Sequence, residues 1–460
     1  FKQKTAYEIG VRLVGSEMCI RDRPGQALKG KVMIPGDKSI SHRSIMCAAL
    51  AEGNSVIRGF LKGDDCLATL NAFSKMGVNV DHHDNEIVVH GVGLRGLKKP
   101  DSDIYLGNSG TSIRLMSGLL CGQSFSSTLK GDASLSSRPM ERIVTPLTAM
   151  GANISSSKGG NPPLEINPSE RLKAFSYELP IASAQVKSCL MFAGLYADGA
   201  VVIKEKIQTR DHTELMFKKF GINVFIEESE GLKEIRVLPP KSMDAAEINI
   251  PGDFSSAAFF VLAALITPGS DLTLMNIGIN KTRIALLEAL KEMGADIKLS
   301  NVINEYEPCA DISIKASKLK GITLNPKLIP NLIDELPVLF IAASLAEGQT
   351  IIRGAEELRE KESDRLEAMS NSLKMLRVKF KMYDDGIDIQ GLNQEVHTPN
   401  SGMPFMASRI NSFGDHRIAM TSAIACTRAN DRSFIEDTEN VTTSFPNFLE
   451  ICEEVGLDIK

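Results

Sequence analysis

Short β-rich runs alternate along this chain with longer runs of helical period, and the alternation recurs six times. Each repeat opens on a turn, led by Gly in five cases and Asn in the last. It passes through a short β-rich run and a polar turn into a helical run, often closed by Met-Gly or Phe-Gly ahead of another strand. The openings fall near Gly53, Gly122, Gly199, Gly269, Gly348 and Asn430. They lie about 70–80 residues apart, too far for a solenoid with a period of roughly 20–50. Asn54-Ser55-Val56-Ile57-Arg58-Gly59 is echoed by Gln349-Thr350-Ile351-Ile352-Arg353-Gly354. The closings Lys75-Met76-Gly77-Val78, Ala149-Met150-Gly151-Ala152 and Glu292-Met293-Gly294-Ala295 are equally alike. In the fourth repeat Leu286, Leu287, Leu290 and Met293 share one helical face. A closing Gly suits a left-handed helix cap, and the aliphatic residues beyond it start a strand.

A coarser repeat lies over the first. Met33-Ile34-Pro35-Gly36-Asp37-Lys38-Ser39 returns as Asn249-Ile250-Pro251-Gly252-Asp253-Phe254-Ser255, each followed by an apolar helical run. Two such strand–Pro-Gly–helix junctions about half a chain apart read as two crossovers between lobes. The expected architecture is α/β, with two similar lobes of three units each and an interdomain cleft, a favoured place for a ligand. Lobe I is expected to comprise residues 24–36 plus 252–460, and lobe II residues 37–251. Residues 1–23 do not join the pattern and read as a non-native extension, so they are expected to stay outside the fold.

Composition narrows the function. The 460 residues are 43% hydrophobic and 24% charged, which excludes disorder over most of the length. With 52 Lys plus Arg against 57 Asp plus Glu the net charge is −5, so a general nucleic-acid or membrane-surface binder is excluded. Any bound anion must be held by local cation clusters. No apolar run is long enough to span a membrane, and no signal-peptide core is present, so a cytoplasmic enzyme is expected. The eight cysteines, at 19, 47, 66, 121, 189, 309, 426 and 452, form no Cys-x-x-Cys pair and read as reduced, mostly buried thiols. Asp81-His82-His83-Asp84-Asn85 reads as a polar turn rather than a metal site. Neither a metal nor a redox cofactor is expected.

Gly91-Val92-Gly93-Leu94-Arg95-Gly96 spells a dinucleotide fingerprint, but Lys98-Lys99-Pro100-Asp101 blocks the helix it requires, leaving a glycine-rich turn. The cations carry more. Lys38-Ser39-x-Ser41-x-Arg43, Gly107 to Arg114, Gly131 to Met140, Ser183-Ala184-Gln185-x-Lys187, Thr209 to Thr213, Lys361 to Arg365 and Gly414-Asp415-His416-Arg417 each set Lys or Arg at an expected helix start. Free N–H groups and the positive dipole end favour anions there, and an adjacent cation adds charge. A single case is ordinarily a cap or a solvated charge. Seven on six related units, in a net acidic chain, point to a polyanionic ligand with two or more phosphate or carboxylate groups. Among the acids, Asp334-Glu335 precedes an apolar run and Glu362 lies between Lys361 and Arg365. One of Asp334 and Glu335 is expected to cap the following helix; the other is a candidate proton acceptor.

On these motifs the chain from about Leu28 to Lys460 resembles the EPSP synthase (3-phosphoshikimate 1-carboxyvinyltransferase) family of enolpyruvyl transferases. The matching stretches are Pro35 to Arg43, Gly107 to Arg114, Gly131 to Met140, Ser183 to Gln185, Thr209 to Glu214, Leu358 to Arg365 and Asp415 to Arg417. The resemblance implies six βαβαββ units in two lobes. It implies attack of the 5-hydroxyl of shikimate 3-phosphate on C2 of phosphoenolpyruvate, then loss of phosphate, in the shikimate pathway to chorismate and the aromatic amino acids. Carried over residue by residue, Ser39, Arg43, Ser183, Ala184, Arg210 and Lys361 bind shikimate 3-phosphate. Asn108 joins the substrate-binding set; Gly110, Arg138, Arg365 and Arg417 bind phosphoenolpyruvate. Lys38 and Gln185 lie between the substrates. Asp334 accepts the proton of the 5-hydroxyl, while Glu362 and Lys38 are candidates for the C3 proton. Paired acid/base groups and dense positive charge fit that reaction without a cofactor. The expected partners are these two small molecules, with no nucleic acid, no membrane and a monomeric chain.

Ser-Ala-Gln at 183–185, Arg210 and Thr443-Ser444-Phe445-Pro446 match the family branch that includes glyphosate-tolerant enzymes, whereas Gly110 is the residue of sensitive ones. Glyphosate is nevertheless expected to bind. UDP-N-acetylglucosamine enolpyruvyl transferase shares the fold and chemistry but usually carries a reactive Cys in a loop of the first half. Here Gly131 to Met140 has none, and Cys121 lies in an apolar run. A non-catalytic polyanion binder of the same fold would have no need of Asp334 and Glu362 beside its cations.

Overall fold

The computed structural model describes residues 17–20, 26–392 and 403–460. Each repeat opening leads into a strand: Glu52–Arg58, Ser127–Lys130, Val201–Glu205, Asp271–Gly278, Gln349–Ile352 and Ser433–Glu436. In each unit the later helix stops at a residue with φ between 63° and 96°: Gly77, Gly151, Gly221, Gly294, Arg377 and Gly456. Five are glycines, which adopt this geometry without a Cβ clash; Arg377 adopts it against that preference.

The complete unit is clearest at 104–167. Strand Ile104–Tyr105, helix Gly110–Leu120, strand Ser127–Lys130, helix Glu141–Ala149 and strands Asn153–Ser156 and Leu164–Asn167 follow in βαβαββ order, with a single extra turn of helix at Ala133–Ser136. The first two strands are parallel, the last returns antiparallel beside them, and Asn153–Ser156 takes the edge. Residues 175–237 build a sheet in the same spatial order. Helix Glu141–Ala149 begins two residues after Pro139, so that proline lies in the approach to the helix rather than within it.

Two units take a strand from the far side of a Pro-Gly-Asp junction. Lys29–Met33 runs parallel to Asp271–Gly278, and Glu247–Asn249 runs parallel to Glu52–Arg58. Where the chain segments cross, Asp37 N–H donates to the Pro251 carbonyl at 2.9 Å and Asp253 N–H to the Pro35 carbonyl at 2.8 Å. One hydrophobic core collects Leu28, Val32, Ile34 and side chains from Phe254 to Ile459; another runs from Ile40 to Ile250. We propose these cores as the lobes bounded at 24–36 plus 252–460 and at 37–251.

Glu17–Ile20 departs from the sequence expectation. It pairs antiparallel with Ser433–Glu436, burying Met18 and Ile20, and Cys19 exchanges backbone hydrogen bonds with Lys460. Alternation along Glu17-Met18-Cys19-Ile20 gives this piece an apolar face, and Ser433–Glu436 offers an unpaired edge to receive it. The rest of 1–23 lies outside the described residues.

At the centre of each lobe stand three helices buried along nearly all their length. Lobe I has Phe254–Ile266, Leu336–Ser344 and His416–Cys426; lobe II has Lys38–Leu50, Gly110–Leu120 and Ala184–Gly194. A helix without a polar face must be enclosed, and the outer helices and sheets do so.

Candidate active site

The N-terminal ends of these six helices converge on one cavity of about 200 Å³ between the lobes. Five are capped by side chains: Asp37 accepts from Ile40 N–H, Ser109 from Ser112, Ser183 from Val186, Asp253 from Ser255 and Asp415 from Arg417. At the sixth, Glu335 holds the cap position but its side chain makes no capping bond, and Asp334 makes none either. The expectation that one of the two caps the helix therefore holds for position, at Glu335, but not for a side-chain capping bond. Glu335 accepts instead from the Ser255 hydroxyl, and Asp334 is taken by arginines. With six dipole ends facing one space, the cavity is electropositive before any side chain is counted.

The side chains add to this. Arg43 is buried, with its three nitrogens on Thr213 Oγ1 (2.7 Å), the Ser39 carbonyl (2.9 Å) and Ser188 Oγ (2.9 Å), all neutral acceptors. Burial pulls its pKa down to about 10. Such a cation gains by meeting an anion. Arg114 is similar: it donates to Gln185 Oε1 at 2.7 Å, and burial beside Arg138 and Arg142 lowers it to about 10. Gln185 donates in turn to Thr111 Oγ1 at 3.1 Å, which fixes the orientation of its amide. Arg138 donates to Asn108 Oδ1 and stands 3.7 Å from Glu362. A Cβ on Gly110 would lie 2.8 Å from Arg114 Nη1 and 2.9 Å from Arg138 Nη1.

Five carboxylates line the cavity, Asp253, Asp334, Glu357, Glu360 and Glu362, and Asp334 and Glu362 share the buried Arg365. Asp334 pairs with Arg210 across the cleft at 2.6 Å and with Arg365 at 3.1 Å. Burial would raise its pKa, but Arg210, Arg417, Lys361 and Arg365 outweigh burial and hold it well below the usual range. Glu362 shares Arg365, at 2.6 Å, and is likewise held low by Arg365 and Arg138 against burial. Lys38 pairs with Asp65, whose attraction outweighs burial and raises the lysine pKa. Burial lowers Lys361, and it holds His416 at about 3, leaving that ring neutral.

Lys38, Ser39, Arg43, Arg138, Ser183, Ala184, Gln185, Arg210, Asp334, Lys361, Glu362 and Arg417 all line the cavity. Asn108, Gly110 and Arg365 stand behind its wall. Arg365 is buried under Asp334, Glu362 and Asp415, the last at 2.7 Å, so it holds acids in place instead of facing the space. Sequence reasoning gave no role to Arg114, Arg142, Arg283 or His416, which also line the cavity, nor to Asp65 and Asp415 behind it. Arg114 and His416 lay inside the quoted motifs, and that was the available signal. Asp65 and Arg283 gave none.

Two lobes of repeated α/β units around a cavity rich in cations define the enolpyruvyl-transferase class of fold. The enolpyruvyl transferase NikO from Streptomyces tendae matches with a TM-score of 0.74 over 96% of this chain and 98% of its own, at 14% identity, a likeness of fold alone. Closer matches narrow the class. The family model described as EPSP synthase (3-phosphoshikimate 1-carboxyvinyltransferase) covers residues 23–452. A 3-phosphoshikimate 1-carboxyvinyltransferase of Hydrogenovibrio crunogenus is 48% identical over 95% of this chain and 97% of its own length. A solved EPSP synthase from Acinetobacter baumannii matches at 46% identity and TM-score 0.85, over 96% of this chain and 99% of that one. The chain belongs to the EPSP synthase family.

Proposed function

We propose that this chain transfers the enolpyruvyl group of phosphoenolpyruvate to the 5-hydroxyl of shikimate 3-phosphate, releasing phosphate, with roles divided as the resemblance implies except that Arg365 acts by holding Asp334 and Glu362. The observation that carries the residue assignment is Arg365, a buried guanidinium shared by Asp334 and Glu362, which holds these two carboxylates at a cavity that Lys38, Arg43, Arg138, Arg210, Lys361 and Arg417 also line.

The electrostatics suggest how binding arms the base. In the ligand-free cavity Asp334 is stabilised as a carboxylate by Arg210 first, then Arg417, Lys361 and Arg365, which makes it a weak base. The acceptor's phosphate draws Arg210 away, joining Arg43, Ser39 and Ser183, and phosphoenolpyruvate draws Arg417. Each loss raises the Asp334 pKa just as the 5-hydroxyl arrives. Asp334 then takes the hydroxyl proton as oxygen bonds to C2. Lys38, charged in this state, supplies the proton to C3. In the second step the C2–O bond to phosphate breaks and Glu362, held ionised, removes a proton from C3 to restore the double bond. The phosphate departs as a dianion with the proton that Asp334 took from the hydroxyl, stabilised by Arg138 and Arg417, and the proton on Glu362 returns to Lys38 to reset the site.

We further propose a cytoplasmic, monomeric chain that is a target of glyphosate. Among the described residues no helix is long and apolar enough to cross a membrane. Phosphate release assayed with each substrate alone and with both tests the function: release only with both supports it, and turnover with UDP-N-acetylglucosamine as acceptor overturns it.

A further inference from the structure

Arg283 lies outside the assigned set, in the turn 280–283 ahead of helix Ala285–Glu292, yet its side chain is buried and reaches the cavity wall. Its Nη2 donates to Ser255 Oγ at 2.6 Å and lies 3.4 Å from Asp253 and 3.8 Å from Asp37, the helix caps at the two chain crossings. The Ser255 hydroxyl passes the bond on to Glu335 Oε1. Arg417 stands 3.7 Å from that oxygen while donating to the Asp334 carbonyl at 3.1 Å.

The other end of the turn is tied to lobe II. Asn280 donates to Asp211 Oδ1 at 2.7 Å, and the Thr282 hydroxyl donates to the same oxygen at 3.3 Å. Asp211 and Glu335 are the chain neighbours of Arg210 and Asp334, whose ion pair spans the cleft at 2.6 Å. One turn therefore holds both flanks of that pair, and its arginine also grips the two straps that join the lobes.

We infer that the turn 280–283 is a brace setting the reach between Arg210 and Asp334, with Arg283 a positioning residue that acts through Ser255 and Glu335. The inference rests on Asp334 being the base. Once the acceptor's phosphate has drawn Arg210 off, the Ser255–Glu335 link is what keeps the Asp334 backbone from following it, so that the carboxylate meets the 5-hydroxyl.

Ser255→Ala cuts the link without changing any charge. It should lower kcat by roughly tenfold or more while leaving both KM values within about twofold, since misplacement of a catalytic group costs turnover rather than ground-state binding. Ser255→Thr, which retains the hydroxyl, should recover most of the loss. Arg283→Met added to Ser255→Ala should lower kcat little further if the two act in series. A multiplied loss would overturn the series, and if that variant does not fold, the Ser255 pair decides alone. Asp334→Asn runs beside them. If it is crippled while Ser255→Ala keeps wild-type kcat, the brace is overturned and the base stands. If Asp334→Asn turns over within about threefold of wild type, the base assignment falls and the brace with it.

Discussion

Replacing Gly110 with Ala places a methyl where two guanidinium ends now stand. The added carbon would lie 2.8 Å from Arg114 Nη1 and 2.9 Å from Arg138 Nη1, so each end has to give by roughly 0.5 Å to reach ordinary contact. Neither is free to drift. Arg114 is held by Gln185 and by the Gly110 and Pro139 carbonyls, and Arg138 by Asn108, Ser134 and Glu362. Overpacking of this kind costs about 1–3 kcal/mol, or about 5- to 150-fold in an affinity. Glyphosate, slightly longer than phosphoenolpyruvate and directed at the same Arg138 and Arg417, needs the space most, so its inhibition constant should rise across that range. Because Arg138 is one of the displaced groups, the phosphoenolpyruvate KM should rise as well, by a smaller factor. The fold should not suffer: Gly110 opens a helix at ordinary φ, where Ala gains up to about 1 kcal/mol in propensity. Phosphate release at several glyphosate and phosphoenolpyruvate concentrations, with a melting curve of each protein, measures all of this. Unchanged constants in the variant would refute the steric argument. A wild type that tolerates millimolar glyphosate at low phosphoenolpyruvate would show that the surrounding branch-type residues outweigh Gly110.

Asp334→Asn keeps the shape and removes the basicity, so kcat should fall roughly 10²–10⁴-fold with acceptor affinity far less affected, as single-turnover and binding measurements can separate. Lys187 is fully buried against Glu214 at 2.7 Å and Glu205 at 3.3 Å; Lys187→Met leaves Glu205 its bonds from Thr209 but takes the ion-pair partner from Glu214, and should cost about 3–5 kcal/mol in urea denaturation. Burial holds His416 at about 3 and His42 well below its ordinary value, so both rings are neutral when folded and take up a proton on unfolding below about pH 6.5. Their contribution is whole above that pH and is lost as pH falls, each adding about 1.4 kcal/mol per pH unit to the slope of stability. His416→Gln should remove one such share from the slope measured between pH 6 and 5, and an unchanged slope would mean that the folded protein already protonates His416.

The six units were legible because a glycine in left-handed geometry and a one-sided aliphatic face both leave local marks, as at Leu286 to Gly294. Residue 377 was not, since an arginine in that geometry carries no such mark. The lobe division we propose was read from the Pro-Gly-Asp pair, and most of the cations lining the cavity from their places at helix starts. What escaped depended on distant partners. Nothing local distinguishes Asp65 from an acid favouring a helix dipole, yet it neutralises Lys38. Nothing local takes Arg283 out of a solvated Lys-Thr-Arg turn. Glu335 sat where a cap belongs, and only the arrival of Ser255 from another unit shows that its carboxylate is engaged elsewhere. The burial of Met18 and Ile20 likewise depends on an edge more than 400 residues further along.

The exchange of strands between the lobes has a consequence for biosynthesis. Lys29–Met33 is made early, but its parallel partner Asp271–Gly278 is made about 240 residues later, a wait of roughly 12–48 s at about 5–20 residues per second. During that interval the nascent strand has no neighbour, while all of lobe II, Glu247–Asn249 included, is synthesised ahead of Asp271. The inserted lobe can therefore close first. As it does, it brings Pro251 beside Pro35 and delivers the waiting strand to its sheet.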